Sequence, residues 1–137
     1  MLPMRRTLLA AALSMVLLGC TAEPEVPGFP EIATRAYEGF LENPNQDTYL
    51  RFIHENRKVQ IGRDTPNDEI GVLVQVRALE VQALHARATG DVNLAIGVVD
   101  RVGEIEEGEV IEVYDEVLPG AKARLHAARD RVAAMTQ

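Results

Sequence analysis

The chain has 137 residues, with 14 basic and 21 acidic side chains and a formal net charge of −7 at pH 7. This length suits one domain, and the acidic balance argues against nucleic acid or anionic lipid as a partner. Hydrophobic residues make up 47% of the chain, which is enough for a folded core.

The first twenty residues contain the three parts of a secretory signal. Arg5 and Arg6 form a positive region, an apolar stretch covers residues 7–18, and the small residue Gly19 precedes Cys20. Twelve helical residues rise about 18 Å, which is too short for a hydrocarbon core of about 30 Å. The pattern therefore favours a removable leader, residues 1–19, over a permanent membrane helix.

The end of this leader, Leu17-Leu18-Gly19-Cys20, resembles the lipobox of bacterial lipoproteins. The resemblance implies cleavage after Gly19 and acylation of Cys20, which would then be the first residue of the mature protein. Two or three acyl chains anchor a protein far more firmly than one. By the same resemblance, Thr21 after the cysteine indicates the outer membrane, facing the periplasm, rather than the inner membrane. An ordinary secretory signal that ends near a cysteine is the alternative.

Removal of the leader changes the charge and the available chemistry. Without Arg5 and Arg6, twelve basic residues remain against 21 acidic ones, which gives the mature part a net charge of −9. The only serine, Ser14, lies in the leader, and the only cysteine is assigned to lipid. The mature part thus lacks the usual nucleophiles of hydrolases, and it has no thiol for a disulfide.

Residues 20–30 are interpreted as the lipidated cysteine and a short tether. The segment combines three prolines with two acids, Pro24, Pro27, Pro30, Glu23 and Glu25. This composition favours an extended, solvated conformation that spans up to roughly 30 Å. One folded domain is predicted to occupy residues 31–137.

Helical periodicity begins directly after the tether. The first helix is predicted from the apolar positions Ile32, Ala33, Ala36, Tyr37, Phe40 and Leu41. Asn43 is the predicted cap of a second helix, with Pro44 at its first position and an apolar face that includes Phe52. Five of the six aromatic residues lie between Phe29 and Phe52, so we expect the two helices to pair over an aromatic seam.

A third helix is predicted over about residues 66–88, with Thr65 as its cap and Asp68 reaching back to it. Its apolar residues form two stripes, the first with Val72, Val76, Leu79, Ala83 and Ala86, the second with Ile70, Leu73, Val74, Val81 and Leu84. A helix that is apolar on two faces is normally central. A strand over 70–76, where β-branched residues crowd together, is the alternative.

Gly90 and Asp91 predict the end of that helix and the cap of the next, which runs to Gly108. The helical period continues to Val117, and Pro119 with Gly120 either kinks the helix or begins a last one. We therefore predict an all-α fold, a compact bundle or stacked hairpins of five to six helices. The hairpin over about 79–102 resembles a single tetratricopeptide unit without a second copy, so a generic αα-hairpin describes it better.

The densest charge feature is a run of seven acids without a base: Glu104, Glu106, Glu107, Glu109, Glu112, Asp115 and Glu116. It is the candidate acidic interaction surface, suited to a basic envelope protein, because complementary charge accelerates association. The alternative is a solvated face that is neutralised within the domain by four bases of the last helix, Lys122, Arg124, Arg129 and Arg131.

No metal or cofactor is expected. The acidic run contains no calcium-loop pattern, and the three histidines His54, His85 and His126 fit no zinc motif.

These observations predict a lipid-anchored envelope lipoprotein whose domain binds a protein and is not an enzyme, in envelope assembly or in neutralising a basic toxin. One alternative is a structural lipoprotein that only occupies the membrane surface. Another is a small enzyme that uses paired carboxylates, such as Glu106 with Glu109 or Glu112 with Asp115.

Overall fold

The computed structural model describes residues 23–61, 63, 67–108 and 110–137. Within these ranges the fold is all-α and contains no strand, which confirms the predicted fold class. The helices are α1 (Glu31–Glu42), α2 (Gln46–Gln60), α3 (Glu69–Thr89), α4 (Val92–Glu107), α5 (Val110–Val117) and α6 (Ala121–Val132), followed by a 3-10 helix (Ala133–Thr136). The leader, Gly19 and Cys20 lie outside the described residues. No helix in the described ranges is long and apolar enough to cross a bilayer.

Helix α3 is central, as its two apolar stripes predict. It packs against α6 and α4 on one side and against α2 and α1 on the other. Val72 and Val76 of one stripe and Val74 and Val81 of the other are almost completely buried. The alternative of a strand over 70–76 is wrong, because the apolar pattern continues along a single helix of 21 residues.

The core is divided into two clusters. The larger one joins α3, α4, α5 and α6 and includes Val26 from the segment before α1. The smaller one holds Tyr37, Phe40, Phe52 and Val81 between α1, α2 and α3. The rings of Tyr37 and Phe52 are 6.0 Å apart, which confirms the aromatic seam.

Two residues predicted on the apolar face of α1 lie outside the core. Ile32 is 63% exposed and Leu41 is 43% exposed. Periodicity identifies which positions share a helix face, but only the position of the neighbouring helix determines how wide a stripe is covered.

The start of α2 differs from the prediction by two residues. Asn45, not Asn43, is the N-cap, and its side chain accepts a hydrogen bond from the backbone of Thr48 at 2.9 Å. The Thr48 hydroxyl accepts one from the Asn45 backbone at 3.0 Å, so a threonine completes the capping box. Pro44 therefore precedes the cap instead of opening the helix.

Replacing Asn45 by alanine should lower the free energy of unfolding by about 1 kcal/mol, because an N-cap oxygen is lost. Asn43→Ala is the matched control, since only the backbone carbonyl of Asn43 bonds to Thr48. We expect this control to change stability by less than about 0.5 kcal/mol. Urea unfolding followed by circular dichroism measures both, and equal losses would contradict the assignment of the cap.

The start of α3 is also later than predicted. Asp68 is its N-cap and accepts a hydrogen bond from the Gly71 backbone at 2.8 Å, so the helix begins at Glu69. The predicted cap, Thr65, lies outside the described residues. At the other end, Gly90 ends the helix with φ of 72°, as predicted.

The second half of the chain forms three separate helices. Asp91 caps α4 as predicted, accepting a hydrogen bond from the Leu94 backbone at 3.0 Å. Helix α4 ends before Gly108, and Gly120, with φ of 91°, precedes α6. Pro119 and Gly120 thus mark the start of a last helix instead of a kink, which gives six α-helices in the described ranges.

The tether prediction is wrong for residues 23–30. Val26 is only 9% exposed and belongs to the larger core cluster, and Phe29 packs against that cluster. The proline and acid content suggested a solvated segment, but two apolar side chains in it find a core surface to cover. The folded body therefore begins by Glu23 and not near residue 31.

Candidate functional site

The described members of the acidic run lie at the end of α4, with Glu104, Glu106 and Glu107, and on α5, with Glu112, Asp115 and Glu116. Three of its members form ion pairs inside the domain, Glu104 with Arg101, Glu112 with Lys122, and Glu106 with both His126 and Arg129. The carboxylate of a fourth, Asp115, accepts a hydrogen bond from the Lys122 backbone at 3.1 Å.

This arrangement supports the alternative of a face neutralised within the domain. Lys122 and Arg129 supply the predicted countercharge, and hydrogen bonding to Glu112 raises the pKa of Lys122. Arg124 turns to a different cluster. Among the described residues, only Glu107 and Glu116 of the run are exposed without an ion pair, and Glu109 lies outside them. The run keeps a modest negative surface.

A largely apolar groove lies between α1 and α2. It has a volume of about 470 Å³. Its walls come from four residues of α1 and four of α2: Ile32, Arg35, Ala36 and Gly39, and Thr48, Arg51, His54 and Glu55. Gly39 lines this groove without a side chain, and a Cβ at this position would meet nothing within 4 Å, so the space beside it is open.

Glu55 places a buried carboxylate in this groove. Its side chain is only 8% exposed. One oxygen, Oε1, accepts a hydrogen bond from Lys58 Nζ at 3.0 Å and lies 3.9 Å from His54 Nε2. The other oxygen, Oε2, is buried without a hydrogen-bond donor in the described part of the chain.

A buried acceptor without a donor costs about 1–3 kcal/mol of stability. A ligand that brings a donor to Glu55 Oε2 would recover part of that cost. The surrounding walls are mainly apolar, so the complementary group has an apolar body and a polar or cationic end. Lysine and arginine side chains have this form, with a hydrocarbon stem and a charged head.

A second polar cluster fixes the segment before α1 to the domain. We call it the Glu23 clasp, formed by Glu23, Arg77, Arg124, Glu80 and Tyr37. Arg77 on α3 pairs with Glu23, and Arg124 on α6 pairs with Glu23 at 2.9 Å and with Glu80 at 2.5 Å. The Tyr37 hydroxyl donates to Glu80 at 2.8 Å. The clasp joins α1, α3, α6 and the N-terminal segment.

Arg77 is the most buried charge of the clasp, with a side chain only 4% exposed. Its guanidinium carbon lies 4.7 Å from the ring centre of Phe29 and 4.6 Å from that of Tyr37. It also donates to the Thr34 hydroxyl at 3.0 Å. The two cation–π contacts and the hydrogen bonds that Arg77 donates to Glu23 and Thr34 offset the desolvation cost of burying its charge.

The clasp changes the acidity of its members. Burial raises the pKa of Glu23, but hydrogen bonds and positive charge from Arg77 and Arg124 outweigh it, so the pKa lies below its ordinary value of 4.5. Burial, with the negative charge of Glu80, raises the pKa of Tyr37. Glu23 is therefore held ionised and Tyr37 is held neutral as a donor.

Glu23→Gln should reduce the loss of unfolding free energy that the protein undergoes when the pH falls from neutral to acidic. Because the folded pKa of Glu23 is lowered, its contribution is present above pH 4.5 and is lost as the pH falls through the folded value. At neutral pH we expect the variant to be less stable by about 2 kcal/mol, the size of a charge-assisted hydrogen bond.

Urea unfolding at neutral pH and at about pH 3 measures the effect, and the gap between wild type and variant should narrow in acid. Glu25→Gln is the control, because Glu25 is exposed and only two residues away. A gap for Glu23→Gln that stays constant with pH would contradict the lowered pKa.

The three histidines lie in separate environments. His54 is exposed at the edge of the groove. His85 stacks on Tyr49 with ring centres 3.8 Å apart, and burial lowers its pKa. His126 pairs with Glu106. In the ranges that the structure covers, no three side chains of metal-ligating type converge on one point.

Comparison of the chain with protein families, curated proteins and solved structures gave no match.

Sequence reasoning missed Glu55, Glu23 and Arg77. Two of them carried a signal. Arg77 interrupts the most apolar stretch of α3, and Glu55 follows Phe52 by three residues on the buried face of α2. A charge at a core position requires a partner or a ligand. Glu23 carried no such signal, because its partners are 54 and 101 residues away in the chain.

Proposed function

We propose that this chain is a lipid-anchored lipoprotein of the bacterial envelope whose helical domain binds a protein and performs no catalysis. The anchor is the acylated Cys20, as the resemblance of its leader to a lipobox implies, and Thr21 favours the outer membrane, facing the periplasm. The mature part lacks serine and free cysteine, which agrees with a role in binding.

The groove between α1 and α2 carries the proposed binding function. Its apolar walls and the unpaired Oε2 of Glu55 match one occupant, a lysine or arginine that projects from an apolar segment of a partner protein. The stem of that side chain covers Ile32 and Ala36, and its head donates to Glu55. Such an anchor residue in a desolvated pocket is typical of protein interfaces.

The charge of the domain favours the same kind of partner. The mature part carries a net charge of −9, and the exposed Glu107 and Glu116 add to the attraction of a basic protein. Long-range attraction raises the association rate, whereas the desolvated contact at Glu55 decides how slowly the complex dissociates. An envelope assembly partner and a basic toxin both fit this chemistry.

Cys20→Ala tests the anchor. We expect wild-type protein in the membrane fraction with a mass that includes acyl chains, and the variant in a soluble or uncleaved form. Normal processing of the variant with unchanged membrane association would overturn the lipidation.

The binding function is tested in two steps. Affinity capture from envelope extracts first identifies a partner, and titration of the purified partner then compares Glu55→Gln with wild type. We expect affinity to fall about 10-fold or more, since a charge-assisted hydrogen bond contributes about 1.5–3 kcal/mol. Gly39→Leu, which fills the groove without altering Glu55, should also abolish binding.

Glu38→Gln is the matched control, because Glu38 is exposed on α1 away from the groove. Charge reversal at Glu107, Glu109 and Glu112 is the opposing experiment. If it abolishes binding while Glu55→Gln and Gly39→Leu leave affinity unchanged, the acidic run is the interface and the groove assignment is wrong. If no captured protein binds the purified domain, the structural-lipoprotein alternative is favoured.

A further inference from the structure

We infer that the Glu23 clasp fixes the orientation of the domain on the membrane, with the surface around Glu23 turned toward the lipid. This inference rests on the proposed lipidation of Cys20. The surface that contacts this face is the bilayer that holds the lipid anchor.

The first argument is the length of chain between the lipid and the clasp. Glu23 follows Cys20 by three residues, so their Cα atoms lie at most about 11 Å apart in any conformation. A domain of about 100 residues has a radius of gyration of about 13 Å. An anchor shorter than the domain radius brings the attachment point itself next to the bilayer.

The second argument is how firmly the attachment point is held. Glu23 binds two arginines on two different helices, and its side chain is 21% exposed. Val26, three residues further on, lies in the larger core cluster. The chain is therefore fixed to the folded body from its first described residue, and no slack exists between Glu23 and α1.

The third argument is the character of the surface around the clasp. A shallow depression of about 480 Å³ includes Glu23, Arg124 and Glu80. The exposed residues that line it are Gly120 and five apolar residues, Pro24, Leu41, Pro119, Ala123 and Ala127. Its two carboxylates are balanced by two arginines, Arg124, which pairs with both, and Arg77, which pairs with Glu23. The lining of this depression therefore has no uncompensated acid for a lipid headgroup layer to repel. We call these five residues the anchor face.

The proposed orientation also bears on access to the binding groove. Its lining residues on α2, Arg51, His54 and Glu55, take no part in the depression around Glu23. The groove and the depression have no lining residue in common, so contact of the anchor face with the bilayer leaves the lining of the groove uncovered. The clasp would prevent the domain from rolling over and covering it.

Position-specific quenching tests the orientation. Since Cys20 is the only cysteine and is acylated, one engineered cysteine can be labelled selectively in the mature lipoprotein. Ala127→Cys reports on the anchor face, while Leu50→Cys on α2 and Ile96→Cys on α4 serve as matched exposed controls. The lipidated proteins are reconstituted in phosphatidylethanolamine–phosphatidylglycerol vesicles that contain a headgroup nitroxide.

With a tether of about 11 Å, we expect the nitroxide to quench the fluorophore at position 127 at least about twice as strongly as the fluorophores at the two control positions. Insertion of ten glycine and serine residues after Ala22 should abolish the difference, because the tether then exceeds the domain radius while the clasp is untouched. Preserved preference in the long-tether variant would overturn the clasp as the cause of orientation.

The outcomes separate this inference from the proposed function. Protein without acyl groups on Cys20 overturns both. Acylated, vesicle-bound protein with equal quenching at all three positions overturns only the orientation. Weaker quenching at Ala127 than at the controls also overturns it, because the anchor face would then point away from the lipid.

Discussion

Replacement of Phe52 by alanine is expected to lower the free energy of unfolding by about 3–5 kcal/mol. Phe52 is completely buried, and its ring lies 6.0 Å from that of Tyr37 in the smaller core cluster. Phe52 belongs to α2, and α1 and α3 pack around its cluster. The cavity left by the ring therefore cannot collapse without moving a helix. For a domain with a total stability of about 5–15 kcal/mol, such a loss is a large fraction.

Leu50→Ala is the matched control in the same helix. Leu50 is 53% exposed, so its truncation should change stability by no more than about 0.5 kcal/mol. Urea unfolding followed by circular dichroism suits a chain without tryptophan. Similar losses for the two variants would show that α2 does not contribute its aromatic face to a core.

Arg124→Met should lower the free energy of unfolding by about 3 kcal/mol, because it leaves the carboxylates of Glu23 and Glu80 without their shared cation. Arg124 is only 19% exposed, so solvent replaces little of the lost interaction. The same measurement on Arg101→Met provides the control. That arginine pairs with Glu104 at the surface, where an ion pair contributes about 0–1 kcal/mol.

A second variant separates charge from packing. Arg124→Met combined with Glu80→Met removes the ion pair as a unit, and apolar replacement of a buried pair is often neutral. The double variant should therefore be more stable than Arg124→Met alone. If the double variant is no more stable, the lost packing of the arginine stem and the lost acceptor of the Tyr37 hydroxyl outweigh the stranded carboxylate.

The sequence allowed the helices to be predicted, and the reason is local. The amphipathic pattern of α3 extends over 21 residues, and the signals at Gly90 and Asp91 depend on neighbours within one turn. The N-caps of α2 and α3 were predicted at Asn43 and Thr65, but the structure has them at Asn45 and Asp68. Several polar residues within a few positions can each accept the first backbone donor, and only the folded chain selects one.

The candidate site depends on contacts that local patterns do not contain. Glu55 faces a groove only because α1 packs against α2 beside Gly39, where no side chain fills the space. The acidic run and the bases Lys122 and Arg129 on α6 were both visible in the sequence, but which acids they pair with depends on how α6 packs against α4 and α5. The prediction of a solvated tether failed because Glu23 finds Arg124, 101 residues later.

The division of the core into two clusters gives the domain a detachable part. The chain leaves the larger cluster after Phe29 and rejoins it at Ile70, so α1 and α2 form an excursion held at both ends. Such a unit can open as a foldon while α3 to α6 keep their amide hydrogens protected from exchange. Since the proposed groove lies wholly within this excursion, an occupant would slow hydrogen exchange in α1 and α2 first. An occupant that binds only the closed form of α1 and α2 would therefore also stabilise these helices against local unfolding.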